Sequence, residues 1–137
     1  MAQANRYTGK ALYATIGGTV ISADFKSVAV KESMNSAEAT GGSDAHEYSI
    51  PTYAASSIDV ELFGLKKADA NYAAIMSNTA KGSTAALVYG PEGNTAGLPK
   101  FTATGFVESR EVEYPFDDAV NVKFTYKCNA AIAETTW

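Results

Sequence analysis

The chain holds one cysteine and one histidine in 137 residues. A single thiol closes no internal disulfide, and the two residues together are too few for a structural zinc site. Long apolar runs are missing too: none approaches the roughly 18 residues of a membrane helix. The opening MAQANRYTGK lacks the apolar stretch of a secretory signal. The expected product is cytoplasmic when made, inserts in no membrane and carries no metal or cofactor. Basic charge is short, with 11 Lys and Arg against 15 Asp and Glu, a net charge of −4. Such a chain has no global attraction for phosphate, which argues against a stand-alone nucleic-acid-binding domain. GxGxxG, Walker and HExxH motifs are absent. What remains is 46% hydrophobic and 19% charged, an ordinary mixture for one domain over residues 1–137 with one core.

The charge is unevenly spread. Residues 1–31 carry Arg6, Lys10, Lys26 and Lys31 against Asp24, for +3. Residues 32–65 hold Glu32, Glu38, Asp44, Glu47, Asp59 and Glu61 with no base, for −6. The next block, to Lys100, is +2 and the last is −3. Blocks of this kind are commonly solvated faces. They also suit basic and acidic parts of neighbouring copies that meet, or an acidic surface that repels a ligand.

Period two dominates the pattern. Ile58, Val60 and Leu62 alternate with Ser57, Asp59 and Glu61; Val120, Val122, Phe124 and Tyr126 alternate with Asn121, Lys123, Thr125 and Lys127. Both segments read as strands with one buried face. Phe25–Lys31 and Thr84–Tyr89 are rich in strand formers. Leu12–Ile16 and Thr19–Ser22 flank Gly17-Gly18, a hairpin signal. Phe101–Tyr114 is broken by Gly105 and reads as two strands or one bent strand, ahead of a turn over Pro115–Asp118. Lys67–Ser77 alone has helical spacing, with Ala68, Tyr72, Ile75 and Met76 on one face. The expected fold is mainly β, an antiparallel β-sandwich or barrel flanked by one short α-helix. A short N-terminal arm (1–10), a long polar loop (about 33–47), an excursion at Gly90–Lys100 and a C-terminal tail (128–137) complete it. Loops as long as 33–47 are usually functional or disordered.

No constellation supports an enzyme. His46 lies in the polar loop beside Asp44, too local for a catalytic triad. Cys128 has no neighbouring base and reads as a buried or tolerated thiol. Asp59 with Glu61 and Glu111 with Glu113 put two carboxylates on one strand face, and Asp117-Asp118 sits in a turn. These fit ordinary wet surfaces better than acid/base chemistry or a calcium site. Trp137, the only tryptophan, either folds back on its own domain or anchors a neighbouring copy.

Four stretches carry a family resemblance. They are LYATIGGTVISADFKSVAVKES, the loop-to-strand segment ATGGSDAHEYSIPTYAASSIDVEL, the run ALVYGPEGNTAGLPKFTATGFVESREVEYPFDDAVNVKFTY, and the placing of one helix between two β halves. Over most of residues 11–127 the chain resembles the major tail proteins, or tail tube proteins, of long-tailed bacteriophages. The resemblance implies a structural subunit of the virion tail, assembled in the host cytoplasm. Its copies would form homohexameric rings, with one sheet from each joining a continuous barrel around a lumen. The rings would stack into a tube through which genomic DNA passes without specific binding. Tape measure, terminator and distal tail proteins would be its partners. Glu32, Glu38, Gly41, Gly42, Asp44, His46 and Glu47 mark the loop that would reach the adjacent ring. Asp59 and Glu61, or Glu111 and Glu113, would face the lumen, the choice between them staying open. Trp137 is the candidate subunit contact. A tail terminator, distal tail or capsid decoration protein, or a β-sandwich binding module, are the alternatives.

Overall fold

The computed structural model describes residues 8–22, 25–43 and 45–137. It is a sandwich of two antiparallel sheets with one α-helix among the described residues. A 3-10 turn at Gly9–Ala11 leads into β1 (Tyr13–Ile16) and β2 (Thr19–Val20). Then come β3 (Phe25–Glu38), β4 (Ser49–Phe63), α1 (Tyr72–Asn78), β5 (Leu87–Gly90), β6 (Pro99–Ala103), β7 (Gly105–Glu113), β8 (Asn121–Cys128) and β9 (Ala133–Thr136). The first sheet has the order β2-β1-β5-β6-β9 and the second β3-β4-β8-β7. The β1–β2 turn has positive φ at both Gly17 and Gly18, the handedness that matches strand twist in a two-residue hairpin.

Side chains from both sheets fill the space between them. Ala14, Ile16, Leu87, Tyr89 and Ala103 come from the first sheet; Ile58, Val60, Leu62, Val107, Val122, Phe124 and Tyr126 come from the second. The Tyr126 hydroxyl ties the layers together by donating to Ala85 O at 2.9 Å. The chain changes sheet between β6 and β7. A side chain at Gly105 would collide with the Lys127 carbonyl and Cys128 Cα, so only glycine lets the two strands approach this closely. The helix is pinned from both sides. Arg110 Nη1 donates to Met76 O at 2.7 Å, and Asn78 Nδ2 donates to Ile16 O at 3.1 Å.

Several expected boundaries move. The polar stretch expected as a loop over 33–47 begins as strand: β3 runs on to Glu38, paired with β4 as far as Ser49. Only 39–48 forms the tip. Backbone pairing needs no apolar side chain, and a ribbon exposed on both faces offers no alternation to read. The helix starts at Tyr72 rather than Lys67. Ahead of it Asp69 closes turns, its N–H bonding Lys66 O and its carboxylate accepting from Asn71 N–H at 2.9 Å. The C-terminal tail contains β9, an edge strand paired with β6. The run from Phe101 is two strands, in different sheets. The N-terminal arm lies mostly outside the described residues, as does Asp44.

Candidate functional site

The outward face of the second sheet collects the chemistry. Strand register places Ser27, Glu61, Lys123 and Glu111 side by side across all four strands. The next rung is Ala29, Asp59, Thr125 and Ser109, and beyond it Lys31, Ser57 and Lys127. Glu113 stands opposite Asn121 at the other end. The two carboxylate pairs read separately from sequence are thus one surface, because β4 and β7 flank β8 in the same sheet. On β4 the inward neighbours Ile58, Val60 and Leu62 are buried, which fixes Asp59 and Glu61 outward by strand alternation. On β7 the register shift between Val107 and Ser109 turns Glu111 and Glu113 to the face opposite buried Val107. The surface is a shallow concavity bounded by Ser27, Asp59, Glu61, Glu111, Lys123 and Thr125.

The face is not acidic in net terms. Lys31 Nζ lies 2.6 Å from Asp59 Oδ2, and the Thr125 hydroxyl donates to Asp59 Oδ1 at 2.8 Å. The Lys31 and Thr125 bonds hold the Asp59 carboxyl below its ordinary pKa. Lys26 Nζ lies 3.3 Å from Glu61 Oε1, donates to Asn121 Oδ1 at 2.9 Å and sits 5.1 Å from the Phe63 ring centre. Lys123 stands between Glu61 and Glu111. Four carboxylates (Asp59, Glu61, Glu111, Glu113) are therefore interleaved with four ammonium groups (Lys26, Lys31, Lys123, Lys127). In the sequence Lys123 and Lys127 belong to a different strand from either carboxylate pair. Cross-strand register, which the sequence does not print, puts them in the same rows.

The β3–β4 ribbon is the second feature. From Lys31 through Ala54 every described residue of the arm and its tip is exposed. Met34, Tyr48, Ile50 and Tyr53 are large apolar groups left in solvent. A bare two-stranded ribbon is marginal in water, and clustered apolar exposure marks an interaction surface. Glu38, Gly41, Gly42, His46 and Glu47 fall on the arm or its tip, with Asp44 outside the described residues. The tip is held by Ala39 N–H bonding Tyr48 O at 2.8 Å and Tyr48 N–H bonding Thr40 Oγ1 at 2.8 Å. Glu32 sits lower, at the base of the arm, near Cys128. Burial, then the Glu32 carboxylate, push the Cys128 thiol up, so it is protonated and unreactive near neutrality. Met34 and Ile50 carry no signal of exposure in the sequence, because they are scattered among small and polar residues.

Trp137 folds back on its own domain. Its ring meets Tyr13 edge-on at 5.4 Å and lies under Lys100 Nζ at 5.0 Å, and its backbone N–H bonds Leu98 O at 3.0 Å. Among the described residues no group of three or more His, Cys, Asp and Glu is arranged to hold a metal. No described helix is long and apolar enough to cross a membrane.

Comparison with known proteins is informative at the level of fold. No protein-family model matches the sequence, and no curated protein matches it. Solved structures do. The SPP1 tail tube superposes with a TM-score of 0.74 at 13% identity, covering 96% of this chain and 80% of that one. A chain from the tail of an empty gene transfer agent particle, solved with C6 symmetry, gives 0.67 at 11% identity, covering 96% and 100%. A chain of the PVC sheath-tube complex, an extracellular contractile injection system in its extended state, gives 0.69 at 12% identity, covering 97% and 93%. The chain has the β-sandwich fold found in these assemblies, over nearly its whole length.

Proposed function

We propose that this chain is the structural subunit of a bacteriophage-type tail tube, non-enzymatic and built into the virion tail. Its copies close into rings, six to a ring, and the rings stack into a hollow tube that conducts the genome. The observation that carries this is the second sheet's pair of open edges. Strand β3 pairs only with β4, and β7 only with β8, among the described strands. In a sheet of four antiparallel strands the two edge strands run in opposite directions. Rotation about an axis therefore brings β7 of one copy antiparallel to β3 of the next, and repetition closes a barrel without free edges. Edges left open in a monomer are an aggregation hazard; in a ring they are the joint. Gly82 and Ser83 bond Val107 at the start of β7, so the joint falls on the rest of that strand.

The concave outward face of this sheet then lines the lumen, with Asp59, Glu61, Glu111 and Glu113 interleaved with lysines. A surface that holds DNA needs excess positive charge; one with equal numbers of each sign does not. DNA slides past a charge-compensated wall without specific binding. The exposed β3–β4 arm reaches the adjacent ring and buries Met34, Tyr48, Ile50 and Tyr53 there. Tape measure, terminator and distal tail proteins are the expected further partners. Negative-stain microscopy of the purified protein tests the reading: tubes or six-fold rings are expected, and a strict monomer at high concentration overturns it.

A further inference from the structure

The β7–β8 turn ends in an aromatic projection with nothing beneath it. Phe116 is fully exposed and Tyr114 is 77% exposed, in a turn where Asp118 Oδ1 accepts from Ala119 N–H at 2.7 Å. At the other end of the second sheet lies an apolar groove, at the base of the β3–β4 arm. Met34, Ala54, Cys128, Ala130, Ala131 and Ile132 line it. It is the mouth of the sandwich where the arm runs on past its covering.

We propose that Phe116 of one copy seats in the arm-base groove of a second copy in the adjacent ring. The proposal rests on the stacked-tube reading and names the contact that stacks it. Geometry excludes the intramolecular alternative. The turn precedes Asn121 and the groove begins at Cys128, the two ends of β8, about 23 Å apart at the rise of an extended strand. A chain therefore cannot fill its own groove with its own Phe116. An apolar knob and a matching groove at opposite ends of one molecule form a heterologous contact that repeats head to tail and does not close on itself. The arm points the same way. It leaves the molecule at the groove end, so the ring it reaches presents its β7–β8 turn to that groove. Glu32 lines one wall of the groove, so the electropositive ring edge of Phe116, and not the acidic Asp117 and Asp118 that follow it, faces that wall.

The groove's own cysteine makes the contact testable. A Phe116→Cys protein, assembled and then oxidised at alkaline pH, where the Cys128 thiol ionises, should join residue 116 of each copy to Cys128 of the next. Each copy has one donor and one acceptor, so a non-reducing gel should show a ladder of trimers, tetramers and higher multimers. Adding Cys128→Ala should abolish every species above a dimer. Phe116→Ser, a change at a fully exposed position, should leave the monomer folded and the rings intact but shorten or abolish tubes. Tubes from the wild type with no ladder from Phe116→Cys overturn the docking and leave the tube reading standing. A ladder stopping at dimers equally overturns it, since Phe116 then meets only itself. A wild type that forms neither rings nor tubes overturns both.

Discussion

Lys31 and Asp59 face each other across the β3–β4 ladder, one register step apart, with Nζ 2.6 Å from Oδ2. Asp59 also accepts from Thr125 on β8, so one carboxylate links three of the four strands of the second sheet. The pair stands on the face proposed to line the lumen. It removes one negative charge from that face and stiffens the sheet where it must match its neighbours in the ring.

Acid stability follows from this pair. The folded Asp59 pKa lies below its ordinary value of 3.8, so its contribution is present above the unfolded pKa and is lost as pH falls through the folded one. The side chains are 67% and 38% exposed, which keeps the gain below about 1 kcal/mol. Asp59→Asn should lower the urea midpoint slightly at pH 7 and flatten its decline below pH ~4. An unchanged decline would mean that other carboxylates set the acid limb.

Arg110 should matter more than its position on a wet strand implies. Its guanidinium donates to Met76 O and to Thr79 Oγ1, holding the end of α1 against the sheet. Arg110→Ala leaves those acceptors without their charged donor, at a cost of about 1–3 kcal/mol. Arg110→Lys should recover only part, because an ammonium on a shorter, more flexible stem does not reach both acceptors as Nη1 does. Chemical denaturation of both variants measures this, and equal stability of Arg110→Ala and the wild type would show that α1 is held without the Arg110 bonds.

What the sequence revealed and what it hid follow physical lines. The alternation of Ile58, Val60 and Leu62 and of Val122, Phe124 and Tyr126 was legible because one face is buried and one is wet. The Gly17-Gly18 hairpin was legible because its backbone requires positive φ. The arm was not, since Ser33, Ser36 and Glu38 pair through the backbone while both faces stay in solvent. The union of Asp59, Glu61, Glu111 and Glu113 was invisible because it depends on β8 lying between β4 and β7. Trp137 illustrates a different limit: composition marked it as an anchor, but only the fold shows that it packs on Tyr13.

The arm can be removed where its rungs permit. Met34 pairs with Ala54, and the register shifts by one residue before Ser36 and Pro51, so replacing 36–52 by a two-residue Asn-Gly turn sets Asn35 opposite Tyr53 in the lower register and leaves that ladder intact. The described residues among those excised are all exposed in the monomer. The melting temperature should stay within the small range of surface changes, while tube assembly should fail. Normal tubes from the shortened protein would remove the arm from the ring-to-ring contact.

Charge on the proposed lumen face gives the sharpest test of what the tube does to DNA. Glu61 and Glu111 flank Lys123 on one rung. Reversing both to lysine changes the face from four carboxylates against four ammonium groups to two against six, a net gain of four positive charges per copy, repeated around every ring. Counterion release then favours DNA retention, with an affinity that falls steeply as salt rises. Assembled Glu61→Lys/Glu111→Lys particles should eject DNA slowly at low salt and approach the wild-type rate at high salt. The wild type should show little salt dependence, because its wall holds no excess charge to screen. Two lysines placed on the outer face of the first sheet, at Thr102 and Thr15, serve as the control, since they add charge without touching this surface. Equal ejection rates for the lumen-face variant and the wild type at every salt concentration would place the second sheet away from the DNA path.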